Sequence, residues 1–130
     1  MKVDRKSLDE RQCLQLLASA DIGRVVYTVA ALPAVFPVRF RLDADGSVLL
    51  TAPADSGLLR AVDGAVIAFE AGEVDRTDGR GWTVTVLGRA SPVTDPPGGE
   101  GGVAEPSDRV RIRIRPGMVT GRMLDAEPAG

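Results

Sequence analysis

The sequence predicts a mainly β domain, a small closed or split barrel of antiparallel strands with its helices outside. Apolar and polar residues alternate over residues 34–42, 82–90 and 109–115, as in strands with one face in a core. Turn residues close such segments into hairpins, as at residues 43–46. The chain has 130 residues and 44% hydrophobic content, which suffices for one core. Many short antiparallel strands in a chain of this size favour a barrel.

The first element predicted is a helix of about three turns that ends near residues 18–21. Ser7 and Glu10 have the spacing of a capping box, and apolar residues follow at helical spacing. Cys13 falls on the apolar side of this helix, where a small buried hydrophobe is more common than a nucleophile. Residues 24–29 are β-branched and aromatic and predict a strand, with a turn at residues 31–33.

The next two elements are predicted to form a hairpin. Residues 34–42 form a strand whose Pro37 cannot donate to a ladder, so one side of the strand should be edge-like there. After the turn at residues 43–46, residues 47–51 return as the second strand. The residues of the first strand that should face the core are Phe36, Val38, Phe40 and Leu42.

Residues 47–70 combine an apolar run, a turn of small residues, a short helix and a second apolar run. The helix is predicted over residues 57–63 and should end at Gly64. The run at residues 65–69 is almost continuously apolar, as in a strand buried on both faces. The region therefore predicts a strand, a short helix and a buried strand in succession.

The second half of the chain predicts three more strands. Residues 82–90 alternate, and Gly88 indicates a bulge or a close backbone approach. Residues 109–115 alternate arginine with apolar residues, and a separate last strand is predicted over residues 118–124 after Pro116 and Gly117. Residues 95–102 are a low-complexity loop, and residues 125–130 an acidic tail, so residues 1–124 form the domain.

Composition excludes several classes of function. Sixteen basic and eighteen acidic residues give a net charge of -2, which argues against nucleic acid as a partner. The chain has no histidine and one cysteine, which excludes His-based catalytic triads and the common metal sites, so no metal is expected. No stretch has the roughly 20 apolar residues of a membrane span, and the polar start does not resemble a signal peptide, so we expect a cytoplasmic protein without a membrane partner.

Two clusters of charge have ordinary explanations. The arginines at positions 109, 111, 113 and 115 could bind a phosphate backbone, but a solvated sheet face or a row of ion pairs is the more common arrangement. The carboxylates at positions 70, 73, 75 and 78 lack the spacing of a calcium loop and favour a solvated connection. Neither cluster identifies a catalytic residue.

The turn at residues 51–58 is the best candidate site. Thr51 and Ser56 carry hydroxyl groups, and the N–H groups of residues 56–58 open a helix, where an anion such as phosphate is favoured. On the residues alone we favour an ordinary helix cap, in which Asp55 or Ser56 accepts from those N–H groups.

The order and spacing of five segments resemble the pyridoxamine 5'-phosphate oxidase-like flavin-binding split-barrel family, and more closely its small actinobacterial branch: LLASADIGRVVY, ALPAVFPVRF, the turn, helix and strand of residues 51–69, GWTVTVLGRA and RIRPGMVTGR. The resemblance implies a split β-barrel of six to seven antiparallel strands, an N-terminal helix and a short helix outside the barrel. It further implies a homodimer that binds FMN, or another flavin or a deazaflavin, in a groove between two barrels and carries out two-electron redox on a small organic molecule.

The same resemblance assigns the cofactor-binding residues. One set lies along the flavin ring, namely Pro37, Val38, Arg39 and Phe40. A second set holds the phosphate, namely Thr51, Ala52, Ser56, Gly57 and Leu58. Trp82 begins a strand that enters the groove, although an ordinary core or interface anchor explains it equally well. Arg122 lies in the last strand.

The sequence departs from the family pattern at two positions of the turn. Family members that bind FMN place a basic residue at the start of the turn and another after the Ser or Thr. Leu50 with Thr51, and Gly57, stand at these positions here. A phosphate would then rely on hydroxyls, on N–H groups and on Arg60 or an arginine from elsewhere. An alternative is a split-barrel dimer that no longer binds flavin and acts as a binding or scaffold protein.

Overall fold

The computed structural model of the protein describes residues 7–93 and 108–125. The predicted loop at residues 95–102 and residues 126–130 of the predicted tail lie outside these ranges. In chain order the elements are β1 (Ser7–Leu8), α1 (Glu10–Ala18), β2 (Ile22–Val29), β3 (Leu32–Leu42), β4 (Val48–Pro53), a 3-10 turn (Ala54–Ser56), α2 (Leu58–Val62), β5 (Val66–Val74), β6 (Gly81–Pro92) and β7 (Arg109–Leu124).

The strands form one antiparallel sheet in the order β1-β7-β4-β3-β2-β5-β6, and a further pairing of β6 with β7 closes six of them into a ring. Strand β1 is a short addition on the outer end of β7, where Ser7 pairs with Arg122. The predicted class, a split β-barrel of six to seven strands with two helices outside, is confirmed. Neither helix in the described part of the chain is long and apolar enough to cross a membrane.

Alternation along the strands fills the barrel. Val84 and Val86 of β6 and Ile112 and Ile114 of β7 are completely buried, as the sequence predicts. At the centre, the rings of Phe40 and Phe69 meet edge to face with their centroids 4.7 Å apart, an arrangement that aromatic pairs prefer.

Helix α1 packs on the barrel through its predicted apolar side, with Cys13 and Leu17 fully buried. Burial raises the pKa of the Cys13 thiol, with smaller contributions from the nearby carboxylates, which agrees with a small buried hydrophobe. The predicted cap was wrong by two residues. Asp9 is the N-cap and forms the capping box with Gln12, because Ser7 is paired in β1.

Three predicted strand features were also wrong. Strand β5 is not buried on both faces: Val66 is 64% exposed whereas Phe69 is fully buried, because only its inner face meets the core. Residues 109–124 form one strand, not two, since both halves pair with β6. The turn after β2 lies at Ala30 and Ala31, both with positive φ, because β2 and β3 stay paired as far as Val29 and Leu32.

Two predicted irregularities are confirmed. The register of β6 against β7 shifts between Leu87 and Gly88, with Gly117 of β7 as the extra residue. At Gly88 an added Cβ would lie 2.8 Å from the carbonyl carbon of Arg115, which is the close backbone approach predicted there. Residues 32–38 of β3 pair with β2 alone in the described part of the chain, so Pro37 lies on a segment with an open edge.

Candidate functional site

The alternation of β3 divides the four residues predicted to lie along a flavin ring. Val38 and Phe40 point into the barrel and are 5% and 7% exposed. Pro37 and Arg39 point outward and are exposed. Only Pro37 and Arg39 can therefore offer side chains to a ligand on the outer surface, while Val38 and Phe40 can offer backbone groups alone.

Strand β4 places Thr51 beside Arg39 on this outer surface. Thr51 is paired with Arg39 of β3 on one side and with Arg111 of β7 on the other. Residues directly opposite in adjacent strands point to the same face of a sheet. The Thr51 hydroxyl therefore lies between two arginine positions, whereas its neighbour Ala52 points into the core and is 1% exposed.

In the turn after β4, the Ser56 hydroxyl forms hydrogen bonds with the backbone of the turn. Ser56 Oγ donates to the Pro53 carbonyl at 2.7 Å and accepts from the Leu58 N–H at 3.2 Å. Gly57 has φ of 75°, a conformation that a side chain makes costly, and Leu58 is 1% exposed. The Ser56 hydroxyl satisfies the Leu58 N–H, as the cap interpretation predicts. The N-cap of α2 is nevertheless Gly57 and not Asp55 or Ser56, and α2 has only five residues.

The remaining two predicted residues lie elsewhere. Trp82 is 7% exposed and packs within the core of the barrel. Arg122 is exposed on β7, opposite Thr83 and Ser7. Along β7, Arg122 is 122 − 111 = 11 residues from Arg111, which corresponds to roughly 35 Å of strand at about 3.3 Å per residue. Arg122 pairs with β1 and β6, so the strand register does not place it beside Thr51 of β4 within one chain.

One arginine of the β7 row forms ion pairs, as the ordinary explanation predicts. Arg113 donates to Asp43 Oδ2 at 2.8 Å and lies 3.8 Å from Asp45 Oδ1. The Arg113 hydrogen bond, helped by the N–H of Ala44, holds the pKa of the Asp43 carboxyl below its ordinary value of 3.8. The pair ties the turn between β3 and β4 to β7, and with Arg115 and Ser91 it lines a polar cavity of about 260 Å³.

The predicted carboxylate cluster has structural roles. Glu70 lies in β5 and not in a turn, and it accepts from Arg24 of β2 at 2.9 Å. Asp75 and Asp78 accept backbone N–H groups within the turn between β5 and β6. These contacts stabilise the local chain and leave the arrangement without the geometry of a cation site.

The sequence missed the convergence of two sets of arginines. Arg41 of β3 lies on the same outer face as Arg39, and Arg109 of β7 pairs with Pro53 at the end of β4. The signal was present as outward arginines in two alternating segments. These arginines could not be recognised from the sequence as neighbours, because the strand order β3-β4-β7 brings together residues about 70 positions apart in the chain. Only the fold determines that order.

These observations define a class of protein, a split barrel with six strands in its ring and a cationic outer surface beside the turn that follows β4. The sequence profile of the pyridoxamine 5'-phosphate oxidase family matches residues 9–123. The chain belongs to this family.

Relatives agree with this assignment. An uncharacterized protein of Mycobacterium tuberculosis is 45% identical over 94 residues, which cover 68% of this chain and 61% of that relative. The match therefore spans less than two thirds of the relative's length. The solved structure of the FAD binding protein from Mycobacterium smegmatis is 29% identical and superposes with a TM-score of 0.77, covering 91% of this chain and 98% of that one.

A second solved structure, a FAD-binding protein from Mesorhizobium loti, has a TM-score of 0.73 at 17% identity and covers 92% of this chain and 98% of its own. At this identity the likeness shows the shared fold. Both comparisons extend over almost the whole chain, so the barrel described above is the family's fold.

Proposed function

We propose that the protein binds a flavin on the outer surface of β3 and β4 and carries out two-electron redox on a small organic molecule. The observation that carries the proposal is the joint outward placement of Pro37, Arg39 and Thr51, in a family whose 29% identical structural relative is a FAD binding protein. A bound flavin supplies the electron chemistry, so the protein needs no histidine or activated nucleophile of its own.

The residues present fit such a group. Pro37 and Ile22, which is 53% exposed, offer an apolar edge for a ring system. Arg39 and Thr51 offer a guanidinium and a hydroxyl to a phosphate. The buried predicted residues, Val38, Phe40, Ala52, Leu58 and Trp82, hold the two strands and the turn in position from inside the barrel.

We further propose that the protein is a cytoplasmic homodimer. Five outward residues are cross-strand partners in succession and form an apolar row across five strands: Val35, Val26, Ala68, Leu87 and Met118. The four larger ones are 37–59% exposed. A continuous apolar row of this kind favours a protein interface.

Sedimentation of the wild-type protein and of Val26→Lys tests the dimer. The charge in the middle of the row should weaken self-association by at least about tenfold. Val74→Lys is the matched control, because Val74 is 58% exposed and lies outside the row. A monomeric wild type, or a Val26→Lys variant that associates as the wild type does, would contradict the proposal.

The flavin is tested by the visible absorption of the purified protein, followed by titration with FMN, FAD, riboflavin and a deazaflavin. We expect a yellow protein, or binding of at least one flavin in the micromolar range. A folded, colourless protein that binds none of them would refute the flavin function.

That result would favour the alternative, a scaffold or binding protein that retains the fold. The turn after β4 supports this alternative. The Ser56 hydroxyl is already bonded to the Pro53 carbonyl and the Leu58 N–H, and Gly57 occupies a position where a basic residue is usual in the family. Gly57→Lys would not be a clean restoration of the charge, because φ of 75° strains any side chain there by about 1 kcal/mol.

A further inference from the structure

The outer surface of β3, β4 and β7 carries four arginines around Thr51, which we call the arginine face: Arg39, Arg41, Arg109 and Arg111. Arg39 and Arg41 belong to β3, and Arg109 and Arg111 belong to β7, with β4 between them. Thr51 pairs with Arg39 and Arg111, Leu49 pairs with Arg41, and Pro53 pairs with Arg109. All of these residues therefore share one face.

The spacing of the strands fixes the size of the arginine face. Neighbouring strands lie about 4.8 Å apart, so the Cα atoms of Arg39 and Arg111 are separated by roughly 10 Å across β4. Alternate residues along a strand lie roughly 6.6 Å apart. The Cα positions of the four arginines therefore span an area larger than one phosphate group, and Arg109 brings the area up to the turn that follows β4.

Leu49 is a buried apolar residue within the outer surface of β4. Leu49 points to the same outer face as Thr51, yet it is only 7% exposed. It pairs with Arg41 on one side and Arg113 on the other. The exposed guanidinium nearest to Leu49 in the strand register is therefore that of Arg41, because Asp43 holds Arg113.

Charge compensation on the arginine face is incomplete. Arg39 lies 3.9 Å from Asp21, with side chains 73% and 83% exposed, a geometry that contributes little. In the described part of the chain no ion pair involves Arg41 or Arg109. Arg113 is excluded from the arginine face because Asp43 and Asp45 already hold it.

We infer that the arginine face binds a diphosphate group, and so selects a flavin that carries one, such as FAD, over FMN. The inference rests on the proposed flavin function. Arg109 lies beside Pro53, towards the Pro37 end of the face, and with Arg39 and Thr51 contacts the phosphate nearer the ring, whereas Arg41 lies at the other end and contacts the next phosphate. Guanidinium groups suit this role because they bind phosphate oxygens in pairs. These arginines from neighbouring strands replace the basic residues that the turn lacks at Leu50 and Gly57.

The first experiment titrates the full-length protein with FAD, FMN and riboflavin, and separately with pyrophosphate, by calorimetry. FAD should bind more tightly than FMN, and FMN more tightly than riboflavin. The double variant Arg41→Gln/Arg109→Gln should weaken FAD and pyrophosphate by about tenfold per arginine and leave riboflavin within about threefold. Pyrophosphate affinity should also fall as salt rises.

The double variant Arg76→Gln/Arg80→Gln is the matched control. It removes the same charge from the exposed turn between β5 and β6 and should leave every affinity unchanged. Circular dichroism establishes that each variant is folded. If the control weakens FAD as much as the test variant does, net charge and not the arginine face is responsible, and the inference is overturned.

Failure of the two proposals can be distinguished. If FAD and FMN bind equally and the arginine variant changes neither, the arginine face is not the phosphate site, although the flavin function stands. If pyrophosphate binds and is lost in the variant while no flavin binds, the arginine face is supported as a diphosphate site and the flavin function is refuted. If neither pyrophosphate nor FAD binds the folded wild type, the inference is overturned.

Discussion

Replacing Gly88 by alanine tests whether the pairing of β6 with β7 closes the barrel as described. A Cβ atom at Gly88 would lie 2.8 Å from the carbonyl carbon of Arg115, closer still to its oxygen, and 3.1 Å from Ile114 Cγ2. The two atoms of Arg115 belong to the backbone, which cannot rotate away from the new Cβ as a side chain can. The two strands would therefore have to separate at the bulge.

The size of the effect follows from these contacts. Overpacking against neighbours that can adjust costs about 1–3 kcal/mol, and the loss of one or two ladder hydrogen bonds adds about 0.5–1.5 kcal/mol each. We expect Gly88→Ala to lower the free energy of unfolding by about 3 kcal/mol or more. For a chain of this size that corresponds to a fall in Tm of about 10 °C or more.

Gly117→Ala is the control, measured beside it by denaturant and thermal unfolding. Gly117 lies in the same bend of β7, but its added Cβ would meet only the Leu87 carbonyl oxygen at 3.4 Å, an ordinary contact. The control should stay within about 1 kcal/mol of wild type. Equal stability of Gly88→Ala and wild type would refute the close approach of β6 and β7.

Two further predictions concern the hairpins. Arg113→Met should destabilise the protein at neutral pH, and the difference in stability from wild type should shrink as the pH falls below 3.8, because the lowered pKa of Asp43 contributes stability above that value and the contribution is lost when Asp43 is protonated. Denaturant midpoints measured against pH test this, with Arg115→Met as a control that should show no such trend. A stability difference that does not change with pH would contradict the prediction. Ala31→Gly should raise the free energy of unfolding by about 0.5–1 kcal/mol, because Ala31 has φ of 66°. Ala44→Gly is the control and should lower it, because Ala44 does not have a positive φ. A destabilised Ala31→Gly would show that the turn conformation is wrong.

The sequence alone determined much of the fold. Alternation is a local property, and it correctly separated the inward Val38, Phe40, Ile112 and Ile114 from their outward neighbours. The turn at residues 43–46 and the close backbone approach at Gly88 also follow from residues close in the chain. The resemblance to the family then supplied the barrel topology that periodicity leaves open.

The tertiary structure determined which strands, and therefore which side chains, are neighbours. Strand pairing is non-local, so the sequence did not indicate that β7 is continuous or that β1 moves the helix cap to Asp9. It also did not indicate that Arg122 lies far along β7 from Thr51. Above all, the order β3-β4-β7 places arginines from two distant segments around Thr51. The sequence shows which residues point outward, and the fold determines which of them act together.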